Sequence, residues 1–232
     1  GGHTLPEKGI ENISDDLQEV PLWRENNYIL FYANGVVKWE YSGMRFVHKQ
    51  NVYSNYGCYF LTEGDTPLEF SAKTIGEKSE LKVTTYPDYA LIDNDKKSPF
   101  QYGRILVDSY DYSLGRSVSY KLPISDVAKS SGIIDLSFAT NGVAPSDVAV
   151  TVNGTNAGKL KISSCLSGEV GKIVSDKFNV NSGIADNVTV KLTQSSITNL
   201  VTGYLDYLRV NYTRKLVLRG AQTSFRGNGG VA

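Results

Sequence analysis

Apolar residues in this chain come in short runs that alternate with polar positions, and Gly, Asn, Asp and Pro break the runs every few residues. That pattern predicts strands at 28–33, 36–41, 45–49, 58–62, 68–72, 81–86, 89–92, 104–107, 117–122, 132–139, 147–152, 159–162, 170–180, 187–193 and 204–212. In Ile134-Asp135-Leu136-Ser137-Phe138 and Val148-Ala149-Val150-Thr151-Val152 every second side chain points the same way, as in a strand with one face on a core. Asn153-Gly154-Thr155-Asn156 lies between two such runs and predicts a hairpin turn. Helical periodicity is nearly absent. Only residues 14–17, ahead of Pro21, and residues 123–129, ended by Gly132, read as a helical turn or two. The expected fold is all-β: an antiparallel β-sandwich, jelly-roll-like in its second half and preceded by a smaller aromatic-rich β subdomain.

The charged, proline-ended segment Asp93-Asn94-Asp95-Lys96-Lys97-Ser98-Pro99 separates an aromatic half from one richer in Ser, Val, Thr and Asn. It divides the chain into residues 1–97, an aromatic-rich β subdomain, and residues 98–217, a jelly-roll-like sandwich. Residues 218–232, rich in Gly, Asn and Ser, are expected to form a flexible tail or linker. With 232 residues the chain can bury a substantial core. Lys plus Arg and Asp plus Glu number 24 each, so no net field draws nucleic acid or an anionic membrane. The longest apolar run, 28–33, falls far short of the ~20 residues of a membrane-spanning helix. The first residues, Gly1-Gly2-His3, lack a methionine, as expected of a trimmed start, and carry no information about a leader.

Candidate chemistry is sparse. A thiol nucleophile needs a histidine partner, and His48 with Cys58 is the one pair that neighbouring strands could bring together. The plainer expectation is that Cys58 and Cys165 are buried thiols on strands. No G-x-S-x-G elbow occurs. The glycines of Gly154-Thr155-Asn156-Ala157-Gly158-Lys159 are separated by three residues and precede a β run, which is a hairpin pattern and not a phosphate loop. His3, His48, Cys58 and Cys165 have no zinc-site spacing. No cofactor is expected, with a structural calcium left open at Asp93-Asn94-Asp95 or at Asp108 and Asp111. The 15 tyrosines offer more. Tyr28, Phe31, Trp39, Tyr53, Tyr59 and Phe60 are expected to fill a core, and a binding surface is drawn at Trp39, Tyr41, His48, Tyr53 and Tyr56. An exposed aromatic face would suit a protein partner or, alternatively, the stacked sugar rings of a free-standing carbohydrate-binding or adhesin-type sandwich.

Two stretches carry a family likeness. The first runs from Trp23-Arg24-Glu25-Asn26-Asn27-Tyr28-Ile29-Leu30-Phe31-Tyr32-Ala33 through Val37-Lys38-Trp39-Glu40-Tyr41 to Asn51-Val52-Tyr53-Ser54-Asn55-Tyr56-Gly57-Cys58-Tyr59-Phe60-Leu61-Thr62. The second is Gly203-Tyr204-Leu205-Asp206-Tyr207-Leu208-Arg209-Val210-Asn211-Tyr212, followed by Arg214-Lys215-Leu216. Both resemble the N-terminal, non-peptidase region of the type IX secretion sortases of Bacteroidota, C-terminal signal peptidases of the gingipain-type cysteine peptidase class. The resemblance implies a non-catalytic accessory region whose parent is a cysteine peptidase, with the catalytic His and Cys in a downstream domain that has no counterpart here. It also implies a place at the cell surface or outer membrane. The partners it implies are that peptidase domain, secreted cargo or other secretion-system proteins.

Overall fold

A computed structural model describes residues 18–33, 35–50, 56–64, 66–70, 82–101, 105–221 and 223–226. The chain divides into two compact units: Gly1–Glu40 with Val47–Lys82, and Tyr41–Phe46 with Val83–Ala232. This division falls upstream of the Asp93–Pro99 break in composition.

The first unit holds a two-stranded antiparallel sheet, β1 (Leu22–Glu25) and β2 (Tyr28–Phe31), in register Leu22↔Phe31 through Glu25↔Tyr28. The turn is Asn26-Asn27, with Asn26 in the left-handed region at φ 44°. Asparagine tolerates that conformation because its short polar side chain can bond locally. Leu22 also bridges Glu69, with Leu22 N donating to Leu68 O at 2.9 Å and Phe70 N to Leu22 O at 3.2 Å. β3 (Lys38–Ser42) and β4 (Arg45–Lys49) form a second two-stranded sheet. Their turn, Gly43-Met44, has positive φ at both positions, 60° and 62°, the twist that tightly joined strands need. The tip of this hairpin, Tyr41–Phe46, is counted with the second unit.

The second unit is an antiparallel sandwich. One sheet runs β10-β7-β12-β5 and the other β6-β11-β8-β9. Their strands are β5 (Thr85–Asp93), β6 (Ser117–Lys121), β7 (Val127–Gly142), β8 (Ser146–Val152), β9 (Thr155–Ile162), β10 (Lys172–Val180), β11 (Thr189–Ser196) and β12 (Val201–Lys215). The chain changes sheet at most connections, so the inward residues of both sheets interleave. Ile134, Leu136 and Phe138 of β7 meet Val148, Val150 and Val152 of β8, Val190 and Leu192 of β11, and Leu205, Leu208 and Val210 of β12 in one cluster. Each such side chain contributes about 1.5–3 kcal/mol by leaving water. Gly203 is required by this packing, because a Cβ there would lie 2.4 Å from the Phe138 ring. Asn153-Gly154, at φ 46° and 84°, makes the two-residue turn from β8 to β9 that the sequence predicts.

Several elements depart from the sequence pattern. Residues 58–62 form no strand. Of the separate runs 81–86 and 89–92, residues 85–86 and 89–92 join in β5, an edge strand on which Pro87 costs no ladder bond to a further neighbour, while residues 82–84 are irregular and residue 81 lies outside the described part. Of the run 104–107, residue 104 lies outside the described part and residues 105–107 supply an isolated bridge, Lys97↔Val107. Leu22–Glu25, polar at two of four positions, is a strand that the pattern does not show. The helical reading of 123–129 is overturned: Leu122 and Ile124 are buried on an extended segment, Asp126 sits at φ 58°, and β7 starts at Val127. A residue at positive φ breaks right-handed helix geometry. Residues 14–17 lie outside the described part. Among the described residues the helical structure is a short 3-10 turn at Pro99–Gln101, and no helix is long and apolar enough to cross a membrane.

Candidate docking surface

Burial separates the units. All four residues of β2 are exposed, so both faces of that strand meet solvent. Tyr28 and Leu30 are each 54% exposed, Tyr32 72%, Phe60 79% and Leu61 82%. Trp23, Ile29, Phe31, Leu68 and Phe70 are exposed as well. The core role expected for Tyr28, Phe31 and Phe60 is therefore overturned: Tyr28 and Phe31 lie on a two-stranded ribbon and Phe60 on irregular chain, and all three are exposed. Tyr59 is half-buried, its ring 5.5 Å from that of Phe31. A lone hairpin is marginal in water, and so many exposed apolar residues make this region a candidate contact surface.

Of the residues drawn as a binding surface, Trp39, Tyr41 and His48 lie on β3 and β4. Trp39 and His48 are half-buried and face each other with ring centroids 5.4 Å apart. Tyr41 stacks at 5.0 Å on Phe46, which packs at 5.1 Å on Tyr89 of β5. Tyr56 is exposed, and Tyr53 lies outside the described residues. Cys58 is an exposed free thiol on irregular chain and Cys165 a half-buried one on a loop, so neither is the buried strand thiol expected. Among the described residues no three His, Cys, Asp or Glu side chains gather as metal ligands. Of the carboxylates considered for calcium, Asp108 accepts Asn94 Nδ2 at 3.1 Å, and Asp111 accepts Ser113 N at 2.8 Å and the Tyr204 hydroxyl at 2.8 Å. Burial works against ionisation of Asp111, but the Ser113 and Tyr204 hydrogen bonds outweigh it and hold this carboxyl below its ordinary range.

Sequence reasoning missed two charged latches on the sandwich. On β7, Asp135 shares a strand with core residues but faces the other way, which suggests a solvated position. Instead it is 3% exposed. It accepts Arg209 Nε at 3.1 Å and Asn211 Nδ2 at 2.9 Å from β12, and it pairs with Arg45 of the hairpin tip. Asn211 Oδ1 in turn accepts Phe46 N at 2.8 Å, so the tip is fixed through both side chain and backbone. Register places Arg209 opposite Asp135, so a charge pair at matching strand positions was the available signal.

The second latch holds the chain after β12. Arg214 bridges Asp88 at 3.1 Å and Asp126 at 3.3 Å, Arg219 pairs with Asp126, and Arg226 pairs with Asp88. The Arg226 guanidinium also lies 4.2 Å from the Tyr89 ring centroid, and Phe225 meets Tyr86 edge-on at 5.4 Å. Hydrogen bonds from Arg219, aided by Arg214 and Ser125 and opposed by burial, keep the Asp126 carboxyl well below the usual range. The tail as far as Arg226 is thus tied to the sandwich.

At one end of the sandwich, the β7–β8, β9–β10 and β11–β12 connections surround an open groove of ≈ 750 Å³. Val143, Leu166, Val170 and Leu200 line it and are exposed. Sandwich-end loops are commonly polar, so these exposed side chains make a further apolar surface among the described residues.

No family model and no curated protein matches the chain. Among solved structures, the crystal structure of dimeric latent PorU from Porphyromonas gingivalis is similar at 23% identity and TM-score 0.68, over 99% of this chain and 22% of that one. The chain therefore spans about a fifth of that neighbour's length. A family 35 carbohydrate-binding module from Clostridium thermocellum aligns with 55% of this chain and 98% of its own at 18% identity and TM-score 0.32. The C-terminal CBM6 of LamC from Zobellia galactanivorans aligns with 53% of this chain and 98% of its own at 19% identity and TM-score 0.31. The latter two scores are too low to support an argument. The PorU likeness shows a shared all-β fold along nearly the whole chain.

Proposed function

We propose that this chain is a non-catalytic accessory region of a type IX secretion sortase-like protein, and that its task is docking. The first unit would hold the downstream peptidase domain of the same polypeptide, or secreted cargo and other secretion components, at the cell surface or outer membrane of a Bacteroidota cell. Cleavage of C-terminal secretion signals would belong to that peptidase domain. The single observation that carries the reading is β2, apolar and exposed on both faces. The all-β fold shared with a stretch of PorU is in keeping with an accessory region. Exposed rings at Trp23, Tyr28, Tyr32 and Tyr56 also suit the alternative, a carbohydrate-binding or adhesin-type sandwich that stacks sugars.

The test is binding between the chain and the peptidase domain of its own gene, made separately, followed by calorimetry. Micromolar or tighter association, weakened at least about tenfold by Leu30→Ser with Phe31→Ser, is the expected result; about tenfold corresponds to 1.4 kcal/mol. Absence of association, together with glycan binding lost in Trp23→Ala, would replace docking by sugar recognition. Peptide hydrolysis by the purified chain, abolished by thiol alkylation, would overturn the non-catalytic reading.

A further inference from the structure

β11 places Val190, Leu192 and Gln194 in succession on its core-facing side. Two are hydrocarbon and the third is an amide. Gln194 is 4% exposed, and among the described residues its buried Nε2 has no protein hydrogen-bond partner. Leaving such a donor unpaired costs about 1–3 kcal/mol, so native proteins nearly always satisfy it.

Gln194 borders a small polar cavity where the β11–β12 connection meets the segment leading into β6. Ser113, Arg116, Ser196, Thr198 and Asn199 also line it. The free volume, ≈ 10 Å³, is about what the centre of a single water molecule occupies. Arg116 Nη2 already donates to Asn199 Oδ1 at 2.5 Å, and Ser196 Oγ donates to Pro145 O at 3.1 Å. Ser196 Oγ receives Thr198 N at 3.4 Å, and Thr198 Oγ1 receives Leu200 N at 3.3 Å, both long bonds. Hydroxyl and amide oxygens of this turn retain lone pairs that can accept a proton.

We propose that this cavity is a binding site for one water molecule, which accepts the Gln194 Nε2 proton and donates its own protons to oxygens of the 196–199 turn. The water joins the core-facing end of β11 to the turn. Leu200, one residue beyond Asn199, lines the apolar groove at the sandwich end, so the water positions one wall of that groove.

The experiment is a crystal structure of the chain at better than about 1.8 Å, with NMR cross-relaxation between water and the Gln194 side-chain amide. A density peak at about 2.7–3.2 Å from Gln194 and from an oxygen of the turn, with a long-lived water signal at that amide, is expected. In Gln194→Met and, separately, Thr198→Val, the signal should vanish or weaken, and the 198–200 amides should exchange about tenfold faster, the loss of roughly one hydrogen bond. A dry cavity with the Gln194 amide turned onto a protein acceptor overturns the proposal. Unchanged exchange at 198–200 in both folded variants overturns the positioning role.

Discussion

β7 and β2 show how differently the two units satisfy their apolar residues. From Leu136 to Ala139, β7 is buried on both faces, one side in the sandwich core and the other under the chain's own segments, whereas β2 is exposed on both. On β7 the second face is closed by pieces of the same unit. The hairpin tip lies over Asp135, and Val107 with Phe100 packs over Ala139 and Tyr204. Among the described residues β2 has β1 as its hydrogen-bonded neighbour, and its four residues are exposed. The sandwich therefore has its stabilising surface within itself, while the ribbon displays surface that a partner could bury.

The contrast can be broken most forcefully in the core. Phe138→Ala removes a ring packed 5.0 Å from Tyr112 and is expected to cost about 3–5 kcal/mol, read as a drop in the denaturation midpoint. Nearly as large an effect is expected from Asp135→Ala, which strands the 1%-exposed Arg209 without its carboxylate, a loss of about 3 kcal/mol or more. If this change proved neutral, the covered outer face would not depend on its charge pair.

A pH experiment examines the latch on the tail. The folded-state Asp126 carboxyl is depressed, so its contribution is full above the unfolded value, about 3.9, and is lost progressively as pH falls from there through the depressed folded value. Wild type should exceed Asp126→Asn in thermal midpoint at pH 6, and the two should converge towards pH 2. A constant gap would show that the carboxylate charge does not matter. The smallest expected effect comes from the ribbon. Leu30→Ser should shift the sandwich midpoint by no more than about 0.5 kcal/mol, since no core depends on that side chain. A larger shift would mean that the ribbon is covered in the folded chain and would weaken the docking proposal.

The long inward-facing strands were legible because a two-residue period leaves a direct mark in sequence. Residues 132–139, 147–152 and 204–212 all lie on observed strands, and Asn153-Gly154 turns between two of them. Less legible was whether the other face was covered. Asp135 and Ser137 have the side chains of a solvated face, yet both are buried, while Tyr28 and Phe31 have those of a core and are exposed. Aromatic content likewise did not say which rings pack together: Trp39 pairs with His48, and Tyr41 with Phe46.

Periodicity, turn residues and the near absence of helical pattern were enough by themselves to determine an all-β chain and most of its strand positions, because backbone geometry is set by neighbours a few residues away. Only tertiary structure decided that Arg45 and Arg209 meet on Asp135, that Arg219 and Arg226 tie the tail to Asp126 and Asp88, and that β2 stays uncovered. Those outcomes join residues up to 138 positions apart. Burial depends on which layer arrives from elsewhere in the chain, and local sequence carries little record of it.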